Sequence, residues 1–248
     1  IKTTGNHLQY GQKRKLKLQQ KIGLNICQNS KGNKHMKEKV LVIGGAGYVG
    51  ARLVGDLLKE NYNVTVFDLF IYDVNIFDKY KDNENFKQIK GDIRDLNLIK
   101  SSLDNIDHII HLACISNDPS FDLNPNLGKS INFDCFGPLV EEASKKNVKR
   151  FIFASSSSIY GSKDEENVTE DLSKEPQTDY AKYKLECEKI LLNDKSIMVK
   201  CIVRPSTLCG YSDRQRFDLS VNILTNQALN NKKITVFGGS QMRPALHI

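Results

Sequence analysis

The chain has 248 residues, room for one large domain or one and a half, and at 40% hydrophobic residues it can fill a core. No apolar run approaches the ~20 residues that span a bilayer and no signal-peptide pattern is present, so the expected location is cytoplasmic, without membrane contact. The net charge of +7 comes from residues 1–39, where ten Lys or Arg face Glu38 alone, while the remainder holds 26 basic against 28 acidic side chains; no nucleic-acid partner is expected of that body.

Six cysteines (Cys27, Cys114, Cys135, Cys187, Cys201 and Cys209) are scattered without a CxxC pair or ligand spacing, which predicts reduced thiols and no structural metal. Residues 1–35 are rich in Lys, Gln and Asn and lack periodicity, so a disordered basic leader is expected. Three readings are open for it: a basic arm for an acidic partner, a targeting peptide, or an upstream stretch outside the functional protein. The last is preferred, because Met36 stands just before the first strand and transit peptides favour Arg and Ser over Lys and Asn. Residues 36–248 are then the functional part.

Val40-Leu41-Val42-Ile43 reads as a buried parallel strand. Gly44-Gly45-Ala46-Gly47-Tyr48-Val49-Gly50 follows it, then an apolar-periodic helix through Leu53, Val54, Leu57 and Leu58. Glycines between strand and helix let a pyrophosphate approach the backbone at a helix N-terminus. Val64 to Phe67 is the second strand, and Asp68 at its end suits ribose hydroxyls and disfavours a 2′-phosphate, which points to NAD over NADP. Phe86 to Lys90 is the third strand; beyond it Asp92 is placed near the adenine and Asp95 as a helix cap. His108 to Leu112 is the fourth, ending in Ala113-Cys114, with His111 read as a packed strand residue.

The stretch from Ile115 to Gly128 is expected to be a loop over the substrate side of the crevice. Asn126 to Asn147 reads as one long helix bent at Pro138, with Asn132 bracing a neighbouring helix. Phe151 to Ala154 is the fifth strand and runs into Ser155-Ser156-Ser157-Ser158-Ile159-Tyr160-Gly161, where at least one hydroxyl should meet a bound ligand. Tyr180 and Lys184 lie four apart on a helix and so share a face, and the ammonium favours the phenolate that would act as a base.

This order of parts resembles an extended short-chain dehydrogenase/reductase, and within it the NAD-dependent nucleotide-sugar epimerase/dehydratase family typified by UDP-glucose 4-epimerase, over residues 37–248. The blocks that carry the resemblance are the glycine motif, Asp68, Gly91 to Asp95, His111-Leu112-Ala113, Asn132, the serines before Tyr160-Gly161, Tyr180-x-x-x-Lys184, Arg204 to Gly210 and Arg243 to Ile248. It implies an α/β fold, a doubly wound parallel (Rossmann) sheet with an incomplete C-terminal substrate domain. It implies Ser156, Tyr180 and Lys184 as catalytic residues. NAD would be held by Gly44, Gly45, Gly47, Tyr48, Val49, Gly50, Asp68, Asp92, Ile93, Leu112, Ala113, Cys114, Tyr180 and Lys184. The substrate side would hold Ser157, Ser158, Thr207, Asn222 and Arg243, the last at the diphosphate.

The implied activity is epimerisation of a nucleotide-sugar through a transient keto-sugar. Dehydration is disfavoured because Ser157-Ser158 stand where dehydratases place an Asp-Glu pair, and no Cys and His pair of the reductive epimerases flanks Ser156. Thr207 replaces an asparagine of the galactose epimerases. A dehydrogenase, reductase or dehydratase of the same family, a non-catalytic dinucleotide sensor and an RNA-binding relative are the alternatives. The resemblance further implies a homodimer when full length. The substrate domain of the family continues past the segment that ends here at Ile248, so truncation is expected, with NAD binding and weak or absent turnover.

Overall fold

The computed structural model describes residues 37–248 except Asn117, Glu166, Gln241 and Arg243. The expected leader over 1–35, and Met36 with it, lies outside the described residues. Six strands, β1 (Lys39–Ile43), β2 (Asn63–Asp68), β3 (Phe86–Lys90), β4 (His108–His111), β5 (Arg150–Ala154) and β6 (Val199–Val203), form one sheet in the order β3-β2-β1-β4-β5-β6. Every neighbouring pair is parallel. The order reverses between β1 and β4, which opens a crevice beyond their carboxyl ends.

Side chains alternate across the strands and feed two cores. Leu41, Ile43, Phe151 and Phe153 face one, with Ile99, Phe136, Leu139, Cys187 and Leu191 packed over them. Val40, Val42, Val64 and Val66 face the other, under Ala51, Val54 and Phe77. Both faces are covered over the sheet's centre, which is why β1 and β5 read as near-continuous apolar runs. Phe136, Phe151 and Phe153 are each at most 1% exposed, and each such burial contributes about 1.5–3 kcal/mol.

The covering helices are α1 (Tyr48–Lys59), α2 (Leu96–Ser102), α3 (Asp118–Asp122), α4 (Pro125–Lys129), α5 (Phe136–Lys145) and α6 (Asp179–Asn193). Asp95 caps α2 by accepting from the Asn97 and Leu98 amides, as its position predicts. Beyond β6, β7 (Thr207–Cys209) pairs in parallel with β8 (Ala245–His247), and α7 (Ser220–Asn231) lies between them in sequence. No helix among the described residues is long and apolar enough to cross a membrane.

Three elements differ from the sequence reading. The stretch from 115 to 128 contains α3 and the start of α4, because Asn124 caps α4 through the Leu127 amide and Pro125 occupies its first turn. The single helix expected over 126–147 is interrupted by a π-helical stretch, Ser130–Asp134. Pro138 explains the break: it has no N–H for the Asp134 carbonyl and its ring crowds that carbonyl, so the preceding turn widens. Finally, β6 is absent from the sequence reading, since Lys200 interrupts its apolar run.

His111 sits in the first core among the rings of Phe136, Phe151 and Phe153, with centroids 5.3, 6.2 and 5.7 Å away. Neither ring nitrogen has a hydrogen-bond partner. Burial, helped by the positive charge of Lys184, pushes His111 from the ordinary 6.5 down to about 3. Below pH 6.5 the unfolded chain therefore takes up a proton that the folded chain refuses, so stability is full above that value and falls as pH drops towards 3. In urea unfolding between pH 7 and pH 4.5, His111→Leu should remove up to about 1.4 kcal/mol per pH unit of that slope; equal slopes in the two proteins would contradict this account.

Candidate functional site

The glycine turn forms where β1 ends. Gly44 has φ +81°, and a Cβ there would lie 2.4 Å from the Ala113 nitrogen at the end of β4. A Cβ on Gly50 would lie 2.3 Å from the Gly45 oxygen, so glycine is what lets α1 begin against the turn. Both obstacles are backbone atoms and cannot yield. Gly47 differs, since a Cβ there would meet only the Gly44 oxygen at 3.3 Å. The leading amides of α1, from Tyr48, Val49 and Gly50, have no intrahelical acceptor. The helix carries no side-chain cap and no acid in its first turn, so its positive end is left for an anion.

Asp68 lies beside this turn. Its Oδ2 accepts from the Ala46 amide and its Oδ1 from the amide of Phe70, each at 2.9 Å. The carboxylate thus braces the turn and keeps further lone pairs for ribose hydroxyls. Asp92 is engaged by the Arg94 guanidinium and amide, and the Arg94 hydrogen bond holds its carboxyl below the usual range. Ile93, expected at the cofactor, has its side chain in the first core, as an apolar chain beside α2 should. Leu112 and Ala113 donate their amides to the Ile43 carbonyl at 2.8 and 3.0 Å, which presses the end of β4 against the glycine turn.

The serine segment and α6 meet on the other side of the crevice. Ser156 caps a 3-10 turn, Ser157–Tyr160, and its Oγ accepts from the Ser158 amide at 3.1 Å and from the Ser158 hydroxyl at 2.8 Å. With both lone pairs so engaged, its own O–H is left to donate. Thr178 caps α6 through the Ala181 amide. Lys184, 3% exposed, donates from Nζ to the Ala154 carbonyl at 2.7 Å and lies 5.8 Å from the centre of the Tyr180 ring. Burial presses this ammonium down, but the Cys114 thiol and the Tyr180 phenol beside it outweigh burial and hold it above the ordinary lysine range. Tyr180, Lys184, Cys114 and the end of β5 are therefore brought together.

The residues expected on the substrate side are placed differently from one another. The Ser157 amide is bound by the Pro205 carbonyl, and Thr207 opens β7. Asn222 is 7% exposed with its amide fully used inside the protein: Nδ2 donates to the Tyr48 hydroxyl and the Arg216 carbonyl, and Oδ1 accepts from the Gly210 amide. It is a brace in this structure. Tyr48, expected at the cofactor through its position in the motif, donates its hydroxyl to the Gly210 carbonyl at 2.7 Å, while its own carbonyl accepts from Ser212. Arg243 lies outside the described residues.

Asn132 also acts elsewhere than expected. Its side chain clamps Ile115 at both ends of the peptide, Oδ1 to N at 2.8 Å and Nδ2 to O at 3.0 Å, while only its carbonyl meets α6, through the Cys187 thiol. Arg216 escaped the sequence reading: its Nη1 donates to the Ser116 hydroxyl at 3.0 Å and so ties the C-terminal segment to the stretch after β4. No local pattern links residues that far apart. Among the described residues, no group of three or more His, Cys, Asp or Glu is placed to hold a metal ion.

A family model described as NAD dependent epimerase/dehydratase family matches residues 40–248. An uncharacterized UDP-glucose epimerase of Bacillus subtilis, YtcB, is 33% identical over 219 residues, covering 85% of this chain and 69% of that protein. A UDP-glucose 4-epimerase of Lactobacillus helveticus is 31% identical over 212 residues, covering 81% of this chain and 63% of that protein. Among solved structures, a UDP-glucuronic acid 4-epimerase from Bacillus cereus in complex with UDP-glucuronic acid and NAD has a TM-score of 0.75 at 30% identity, covering 84% of this chain and 69% of that one. The chain thus spans about two thirds of the length of these relatives.

The close approach at the turn has a direct test. Gly44→Ala combines a left-handed backbone with a backbone clash and should lower the unfolding free energy by at least about 3 kcal/mol. Gly47→Ala, with φ −79° and a single tight contact of 3.3 Å to the Gly44 oxygen to relieve, should cost about 1 kcal/mol. Equal losses in thermal or urea unfolding would show that the turn is not held as described.

Proposed function

The chain belongs to the NAD-dependent epimerase/dehydratase family, and from that premise we propose that it is a nucleotide-sugar epimerase, inverting C4 as the names of its relatives state. The observation that carries this reading is the buried Lys184 ammonium, held by the Ala154 carbonyl within 5.8 Å of the Tyr180 ring centre. A fixed cation beside a phenol stabilises the phenolate, which is what proton abstraction from a sugar hydroxyl requires.

The residues present fit a bound dinucleotide: a turn that only glycine can form, unsatisfied amides at the start of α1, and the Asp68 carboxylate beside them. The leading amides of Tyr48, Val49 and Gly50 would take the pyrophosphate, and Asp68 a ribose. NAD, when bound, supplies a reversible two-electron acceptor at the sugar carbon, so that oxidation to a transient keto-sugar and return of the same electrons to its other face invert one carbon with no net redox change.

Tyr180 takes the hydroxyl proton as the sugar is oxidised and returns it when the alcohol re-forms. Ser156, with its lone pairs engaged by Ser158, donates its O–H to the reacting oxygen and keeps the proton path short. Lys184 holds the phenolate charge and would also hold a ribose hydroxyl of the bound dinucleotide. Ser157 and Ser158 offer hydroxyls where a dehydratase needs an acid and a base, so water is retained.

The test is a single turnover at high protein concentration with NAD and a panel that includes UDP-glucose and UDP-glucuronic acid. NADH absorbance should rise transiently and NMR should find the C4 epimer. Tyr180→Phe should cut the rate by about 100- to 10,000-fold while NAD affinity is kept. Tight NAD binding with no NADH signal and no altered sugar from any member of the panel would favour a dinucleotide sensor instead.

A further inference from the structure

The serine turn and α6 are both tied to one dipeptide, Arg204-Pro205, which follows β6. Arg204 Nε and Nη2 donate to Glu188 Oε1 and Oε2 at 2.9 and 2.6 Å, and Nη1 donates to the Tyr160 hydroxyl at 2.6 Å. The guanidinium also lies over the Tyr160 ring, 5.3 Å from its centre. Next to it, the Pro205 carbonyl accepts the Ser157 amide at 3.0 Å. Glu188 is four residues beyond Lys184 on α6 and so lies on the same stripe. Tyr160 closes the turn that Ser156 opens.

The ion pair is deep, with the Glu188 side chain 3% and the Arg204 side chain 16% exposed. Removing two charges from water is a costly way to stabilise a fold, and apolar side chains of similar volume commonly do as well or better. What apolar side chains cannot offer is a rigid fork of directed donors. One arm of the fork fixes the rotation and advance of α6 at Glu188; the other fixes the end of the serine turn at Tyr160. The same guanidinium is thus hydrogen-bonded to both elements.

We propose that Arg204, with Glu188 as its counter-ion, is a positioning residue that sets the separation between the Ser156 hydroxyl and the Tyr180 phenol. The inference rests on the reading of those two groups as the proton-transfer pair. It gives the buried pair a task that stability alone does not explain.

The experiment compares the wild-type chain with Tyr160→Phe and with the double variant Arg204→Met/Glu188→Met, which leaves no unpaired charge behind. The double variant should fold with an unchanged or raised melting temperature and bind NAD with affinity within about twofold, since the glycine turn lies elsewhere. Its single-turnover rate of NADH formation should nevertheless fall by about 100-fold, the cost of a displacement of about 1 Å. The sugar-nucleotide KM should change by less than about threefold.

A second readout needs no substrate. On protein labelled at tyrosine 13Cζ, with the signal assigned by Tyr180→Phe, the Tyr180 resonance should be displaced or doubled in the double variant and shifted less in Tyr160→Phe. That of Tyr62, at the amino end of β2, should stay in place. A folded double variant with an unmoved Tyr180 resonance overturns the proposal, whatever its turnover. If the wild-type chain forms no NADH with any sugar nucleotide but the Tyr180 resonance moves, the positioning role stands and the epimerase reading falls.

Discussion

A single ammonium organises the side of the crevice built from β5, the end of β4 and α6. Lys184 is buried at a point where an unpaired charge would be severely destabilising, and its compensation comes from the Ala154 carbonyl, the face of the Phe153 ring 4.9 Å away, and the Cys114 and Tyr180 side chains beside it. Those partners belong to β5, the end of β4 and α6 itself. Satisfying one charge therefore docks the helix on the sheet at a fixed height. The phenol four residues earlier is carried along by that docking, with its ring 5.8 Å from the same ammonium.

The glycine-turn half obeys a different constraint, which is steric. β1, the glycine turn and the end of β4 approach so closely that main chain touches main chain, and the result is a helix start with no side-chain cap and no acid in its first turn. Asp68 stabilises this arrangement from the side by accepting the Ala46 amide, and its other oxygen supports Phe70, held at φ +54°. One carboxylate thus shapes both the turn beneath a dinucleotide and the chain that leaves β2. The two halves meet where the strand order reverses, so a ligand spanning that reversal is in reach of both.

How much of this is visible in the amino-acid sequence depends on the distance along the chain over which each feature is encoded. The strand, glycine turn and helix at residues 39–59 are contiguous, and the Tyr180 and Lys184 pair needs only one turn of helix, so both are legible from local spacing. The same holds for the cap at Asp95. Asn132 and Asn222 were assigned from position in a motif, yet their amides are spent on Ile115, Tyr48 and Gly210, partners that no periodicity identifies. Arg204 and Arg216 show the same limit, because Glu188, Tyr160 and Ser116, which they join, lie on other elements. The π-helical stretch before Pro138 was half legible: proline announces a disturbance, but whether the turn bends or widens is decided by packing against α6.

Tyr48 illustrates what such long-range ties mean for a chain made from one end. It sits in the glycine turn, which leaves the ribosome early, yet its hydroxyl and carbonyl are satisfied by Gly210, Ser212 and Asn222, which emerge more than 160 residues later. The glycine turn is therefore finished by polypeptide made more than 160 residues later, and a chain arrested before Gly210 would leave it open.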